Sequence, residues 1–306
     1  MRTVMTCFTL LCAVGAVYAY SPIIDGAMAD MRIKVVDDKN EAVPDASVSV
    51  TFYISPTKVD TKRGKTDAAG CFVANGRCIG EVHAWIRKDG YYDAKVDPVF
   101  RTSSDKVVEK SGKWSDGTVE TTAILKKKRN PIDLKYAHRQ YWAFPATNET
   151  FYLDLELCKW CPPFGNGKNK DMALLYEAVE HPEAGWGVSY WNKLTLSLPN
   201  VADGFYAATA NSTSQFPFEY EADCNATYVK SIVLERERKD NCMIKKQIPA
   251  DGEYFIFRTR TMTNSLGKVT SANYGRIGEK LNLAMGLSME CWFNSTDNDT
   301  NLEAAK

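Results

Sequence analysis

From Ser47 to Ile54 the chain alternates without a break: Val48, Val50, Phe52 and Ile54 point one way, and Ser47, Ser49, Thr51 and Tyr53 the other. Side chains of an extended strand switch faces with a period of two, so this stretch buries its apolar set only as one face of a sheet. The same period returns at Val82, Ala84 and Ile86, at Phe151, Leu153, Leu155 and Leu157, at Leu194, Leu196 and Leu198, and at Leu287, Met289, Cys291 and Phe293. Turn signals separate the runs, among them Asp38-Lys39-Asn40, Thr66-Asp67-Ala68-Ala69-Gly70 and Asp89-Gly90. Asn264-Ser265-Leu266-Gly267 joins Glu253–Met262 to Lys268–Ile277 as a hairpin. The expected class is therefore mainly β, a β-sandwich followed by a second β-rich domain. One segment follows a different period: Met172, Leu175, Tyr176 and Val179 fall at i, i+3, i+4 and i+7 after a possible cap at Asn169. That spacing predicts a short helix, stopped by Pro182.

Charge excludes some partners early. The 38 Lys and Arg balance 38 Asp and Glu, so no single-sign field favours nucleic acid. Met1-Arg2, the apolar stretch Val4–Val17 and the small residues of Val17-Tyr18-Ala19 read as a signal peptide over residues 1–19, cleaved after Ala19. No later apolar run approaches the roughly 20 residues that span a bilayer, so no integral membrane segment is expected after the signal is removed. The expected location is secreted, periplasmic or on the extracellular surface.

Export makes disulfides the default for the cysteines that remain, with Cys71, Cys78, Cys158, Cys161, Cys224 and Cys242 as candidates and Cys291 as a seventh thiol. Cys71 and Cys78 flank Asn75-Gly76. A two-residue hairpin loop there makes them diagonal neighbours about 7–8 Å apart, and a four-residue loop sets them directly opposite. Cys158-Lys159-Trp160-Cys161 has the spacing of a redox dithiol or of half a zinc site. A dithiol of that kind opens a helix, whereas Pro162-Pro163-Phe164-Gly165 reads as loop; a zinc site needs a second ligand pair, and His83, His138 and His181 do not form one. No metal or cofactor is expected.

The order Val35-Val36-Asp37, Val43-Pro44-Asp45-Ala46-Ser47-Val48, Lys65-Thr66-Asp67-Ala68-Ala69-Gly70 and Lys88-Asp89-Gly90-Tyr91 resembles the carboxypeptidase regulatory-like, transthyretin-like domain. The resemblance implies a seven-stranded or similar β-sandwich over residues 30–127, used as a spacer or binding module and carrying no catalytic residues. Lys126-Lys127-Lys128-Arg129 before Asn130-Pro131 reads as a solvated boundary. The second domain is expected over residues 130–306. Asn130-Pro131-Ile132, Phe257–Thr261, Tyr274-Gly275-Arg276-Ile277 and Phe293-Asn294-Ser295-Thr296 resemble a group of secreted bacterial proteins of unassigned activity, in which a transthyretin-like domain precedes a β-rich one.

Candidate chemistry is sparse. No nucleophile elbow, paired-His zinc motif, phosphate loop or dinucleotide fingerprint occurs. His83 reads as a solvated strand residue, and His181 as a helix-end cap. Asp154 and Glu156 fall two apart on one strand face, about 7 Å by strand geometry, the spacing of a carboxylate pair for a glycosidase or Ca²⁺. Arg258 and Arg260 share a face with Ile256. Trp186, Tyr190 and Trp191 crowd one loop and strand start, a candidate platform for carbohydrate or for another surface protein. Five Asn-x-Ser/Thr sequons stand at Asn148, Asn211, Asn225, Asn294 and Asn298. The expectation is a non-catalytic exported binding, adhesion or envelope-structural protein, with a hydrolase of polysaccharide or peptide, its site in the second domain, as the alternative.

Overall fold

The computed structural model describes residues 26–100, 112–180, 190–210, 213–239, 242–246, 252–278, 281–283 and 286–305. The expected signal peptide and cleavage point after Ala19, as well as His181 and Trp186, lie outside the described residues. The chain divides into two compact units, one of residues 26–36, 41–87 and 95–123, the other of residues 37–40, 88–94 and 124–305. Every regular element among the described residues is a strand.

In the first unit β1 (Ala27–Asp37), β2 (Ser47–Ser55), β3 (Lys58–Lys65), β4 (Cys71–Cys78), β5 (Val82–Arg87), β6 (Ala94–Val96) and β7 (Lys113–Leu125) form two sheets, ordered β4-β1-β7 and β3-β2-β5-β6. The alternation read from sequence sets the faces: Val48, Val50 and Phe52 of β2 and Val82, Ala84 and Ile86 of β5 are all buried. The sheets press together where Gly76 of β4 meets the Phe52 ring, since a Cβ at Gly76 would lie 2.6 Å from that ring. Asn75-Gly76 is therefore the interior of a strand, where a side chain must be absent, and not a hairpin loop.

That placement overturns the Cys71–Cys78 pair. Both ends of β4 ladder along β1, Cys71 opposite Lys34 and Cys78 opposite Ala27. Seven residues of extended chain separate the thiols by about 23 Å, and an odd separation sends them to opposite faces.

The second unit holds β8 (Lys135–Trp142), β9 (Thr150–Asp154), β10 (Lys159–Trp160), β11 (Met172–Glu180), β12 (Tyr190–Ser197), β13 (Gly204–Thr209), β14 (Ser231–Lys239), β15 (Cys242–Lys246), β16 (Glu253–Thr263), β17 (Val269–Ile277), β18 (Asn282–Leu283) and β19 (Leu287–Asn294). One sheet runs β10-β9-β11-β12-β14-β15; the other runs β13-β16-β17-β19-β18, with β8 added on β19. Their inner faces share a core in which Phe151, Leu153, Leu174, Leu194 and Leu196 meet Phe257, Met289, Cys291 and Phe293. The predicted hairpin is present between β16 and β17, with Asn264 Oδ1 accepting from the backbone of Leu266 and Lys268 and Gly267 in the left-handed region.

The predicted short helix is β11. Met172, Leu174 and Tyr176 line the core side, a period-two set inside the same window that also fits a helical spacing. Four residues of β9 and eight of β12 bond to this strand, and tertiary ladder bonds override a weak local preference.

A second cluster forms on the outer face of the β16–β17 sheet, where Phe216, Phe218, Tyr220 and Leu302 cover Tyr254, Ile256 and Tyr274. The cation run predicted to be solvated feeds this cluster. Lys126 is 8% exposed, donates to the Phe218 carbonyl and lies 4.4 Å from the Tyr220 ring centroid. Arg129 stacks on the same ring and pairs with Asp38. Aromatic residues do interleave these cations, but they arrive from residues 216–220 and not from the local sequence. The polar tail is anchored as well: Asn294 Nδ2 donates to Asp299 and Asn301, and the buried Glu303 carboxylate accepts from the backbone of Arg129 and Asn130 and from the Tyr92 hydroxyl. No helix among the described residues is long and apolar enough to cross a membrane.

Candidate functional site

The acidic pair singled out in the sequence is engaged in a buried ion cluster. β9 ends at Asp154, and Leu155–Cys158 turn into β10, so Asp154 and Glu156 do not share a strand face. The fully buried Asp154 carboxylate accepts from the backbone of Leu157, Lys168 and Asn169, fastening both ends of the following loop. Arg260 closes the cluster: Nε and Nη2 reach the two oxygens of Asp171 at 2.8 and 2.9 Å, and Nη1 reaches Glu156 at 2.7 Å. Burial pushes the Asp154 carboxyl up, but those backbone donors and Arg260 outweigh it and hold the group below the usual carboxylate range. Carboxylates occupied in this way are poor candidates for general acid catalysis. Among the described residues no group of three or more His, Cys, Asp or Glu could hold a metal ion.

Sequence reasoning paired Arg260 with the wrong neighbour. By strict alternation Arg258 and Arg260 share a face. The structure has a register shift after Thr259, and Arg260 adopts φ +52°. Such a bulge re-aims a side chain. Arg260 lies over Phe293 in the inter-sheet core, while Arg258 turns to the Ala202 carbonyl and the Tyr228 ring.

The thiols are placed as follows. Cys158, Cys161 and Cys291 are buried and free. Lys159 and Trp160 between the first two are extended, which sets the Cα atoms of Cys158 and Cys161 about 10 Å apart, beyond disulfide reach. Cys161 Sγ instead faces the Asn169 carbonyl at 3.2 Å. Cys224 is an exposed free thiol 3.4 Å from the Tyr274 hydroxyl, and the Cys242 side chain lies outside the described residues. Burial pushes the Cys158 and Cys161 thiols up and the Cys291 thiol well up, which suppresses the thiolate.

Of the aromatic platform, the Trp186 position and the Tyr190 side chain lie outside the described residues. Trp191 sits on the outer face of its sheet with its indole N–H donated to Glu235 at 2.7 Å. In the first unit His83 meets an acid the sequence reading missed: its Nδ1 lies 2.5 Å from Asp97, which Lys95 also contacts. His83 and Asp97 are 14 residues apart, and only the pairing of β5 with β6 brings them together.

The concave site is elsewhere again. A groove of about 590 Å³ opens beside β8, walled by Ile132, Leu134, Tyr136 and Trp292 and floored by Ala304 and Ala305. The backbone builds it: Ile132 N–H donates to the Glu303 carbonyl and Ala305 N–H to the Ile132 carbonyl, both at 2.9 Å. Tyr136 is 55% exposed and leans on Trp292, ring centroids 5.0 Å apart. Behind Trp292 lies the buried Arg276 guanidinium, 4.4 Å from that ring and 4.1 Å from Phe218. Asp133 and Lys135 put one charge of each sign at the groove. Pockets of 300–1,000 Å³ with apolar walls and a few polar groups are the usual form of small-ligand sites. Its lining residues come from sequence-distant segments, and no local motif marked them.

Fold and site together define a mainly β protein of two units, every regular element among the described residues a strand, with a groove in its second unit. No protein family and no curated protein matches the sequence. Among solved structures, 3-chlorocatechol 1,2-dioxygenase from Rhodococcus opacus is similar at 16% identity and a TM-score of 0.26, over 33% of this chain and 61% of that one. Catechol 1,2-dioxygenase from Pseudomonas arvilla is similar at 13% identity and a TM-score of 0.25, over 33% of this chain and 53% of that one. Hydroxyquinol 1,2-dioxygenase from Pseudomonas putida is similar at 13% identity and a TM-score of 0.25, over 34% and 57%. The chain thus spans just over half the length of these enzymes, and likeness at this level transfers no activity. The expected non-catalytic role is not supported: these three solved structures are enzymes, and at this level they assign neither catalysis nor its absence to this chain.

Proposed function

We propose that the second unit captures a carbohydrate ring in the groove between Tyr136, Trp292 and the Ala304-Ala305 floor. The observation that carries this reading is a half-exposed Tyr136 braced on Trp292 inside a concave, mostly apolar site of about 590 Å³. A sugar ring has an apolar C–H face that suits an aromatic wall and a hydroxyl edge that suits Asp133, Lys135 and nearby backbone groups. Capture of a sugar here serves a reaction on the bound sugar, and so differs from the non-catalytic binding, adhesion or envelope-structural role that is not supported. Val43–Val48 and Thr66–Gly70 support reading the first unit as a regulatory-like spacer, and Met1–Ala19 supports export.

Calorimetric titration of the full chain with neutral mono- and oligosaccharides tests the reading. Tyr136→Ala removes a stacking wall worth about 1.4 kcal/mol, so the affinity of any binding saccharide is expected to fall about tenfold. Trp191→Ala is expected to leave it unchanged. No binding by any saccharide, or equal binding by Tyr136→Ala, overturns it.

A further inference from the structure

Two buried thiols that no sequence motif links, Cys158 and Cys291, lie on elements of opposite sheets of the second unit that approach each other. The β9–β10 hairpin pairs Asp154 with Lys159 and turns through Leu155–Cys158. The ends of a four-residue turn lie within about 7 Å of each other, so Cys158 stays close to Leu155. The Leu155 carbonyl in turn receives the Cys291 thiol at 3.9 Å, from β19 across the core. A second contact fixes the same approach. Arg139 of β8, opposite Met289 on the ladder that also carries Cys291, donates to the Cys158 carbonyl at 3.0 Å. Cys158 and Cys291 are respectively 0% and 1% exposed, and the charge of a Cys158 thiolate reaches Cys291.

We infer that Cys158 and Cys291 form a disulfide tying the two sheets together when the chain meets a small-molecule disulfide. Cys161 takes no part, because it faces Asn169 and stands an extended tripeptide step away. In the reaction the Cys158 thiol loses its proton and attacks one sulfur of the oxidant, releasing one thiol and leaving a mixed disulfide on Cys158. The Cys291 thiolate then displaces the second thiol. Two protein thiols and one disulfide become one protein disulfide and two small thiols, with both protons carried by the products. Access is through the turn, whose Leu157 is 39% exposed, so opening of Leu155–Cys158 gates the step.

The inference is independent of the groove. The full chain is incubated with oxidised glutathione, denatured without reductant, alkylated with iodoacetamide and mapped by mass spectrometry. The expected product is a Cys158–Cys291 cross-linked peptide, with Cys161 alkylated. A Cys158–Cys161 link, or alkyl groups on both Cys158 and Cys291, overturns it. Cys161→Ser must keep the cross-link. The urea midpoint of the oxidised chain must fall when dithiothreitol is added, and that of Cys158→Ser must not respond; a wild-type midpoint indifferent to dithiothreitol overturns the tie between sheets.

Discussion

Arg260→Leu removes the cation that bridges Asp154, Glu156 and Asp171. Asp171, whose side chain is 2% exposed, loses both of its guanidinium contacts and keeps the Leu155 N–H; Glu156 loses its 2.7 Å contact. Deleting one partner of a fully buried pair costs about 3–5 kcal/mol, because the other charge is left without compensation. Here Arg260 and Glu156 are 26% and 27% exposed, so water recovers part of the loss, and about 2–4 kcal/mol is expected. With a urea m-value of about 2 kcal/mol/M, that displaces the unfolding midpoint by about 1–2 M. Arg260→Lys keeps the charge but not the two-pronged contact, and is expected to lose about half as much. The assay is urea unfolding followed by tryptophan fluorescence at pH 7 and at pH 4. Arg260 helps hold the buried Asp154 carboxyl low, and the stability that comes from this is lost as pH falls, so the gap between Arg260→Leu and wild type should narrow at pH 4. A loss under 1 kcal/mol, or a gap that does not change with pH, would show that solvent already screens the cluster and would refute the reasoning.

Other outcomes follow from single contacts. Gly76→Ala places a Cβ 2.6 Å from the Phe52 ring, and should lower stability by about 1–3 kcal/mol, with Phe52→Leu on the same chain recovering part of it. Burial pushes the Asp203 carboxyl up, against donors from Thr261 and Thr259. Its contribution to stability is then complete below the unfolded value of about 3.9 and is lost as pH rises through the higher folded value, so Asp203→Asn should gain relative to wild type between pH 4 and pH 7. An unchanged difference across that range, read by urea midpoints, counts against it. Asp154 has the opposite sign: its depressed folded value supplies stability above about 3.9 that disappears as pH falls below it, and Asp154→Asn should show a shallower acid limb in the same titration.

The strands were legible because period-two alternation is a local property. Val48, Val50 and Phe52, or Met289, Cys291 and Phe293, announce which face is buried before any partner is known. Where the local signal is ambiguous, the partner decides. Met172 to Val179 fits a helix as well as a strand, and β9 and β12 on either side make it a strand. Asn75-Gly76 is a turn signal in isolation, and became strand interior because Phe52 occupies the space a side chain would need. Lys126 and Arg129 read as solvated cations until residues 216–220 supplied their aromatic cover.

By itself, then, the sequence determined that this is a β protein and which residues face its cores, since burial follows from the twofold repeat of the extended backbone. Only the tertiary structure decided which polar groups meet. Asp97 reaches His83, Arg260 crosses to Asp171 through a bulge, Cys291 approaches the turn of Cys158, and Tyr136 and Trp292 share a groove. Each of these joins residues whose separation along the chain carries no energy until the sheets pack, and so leaves no mark on the order of the residues.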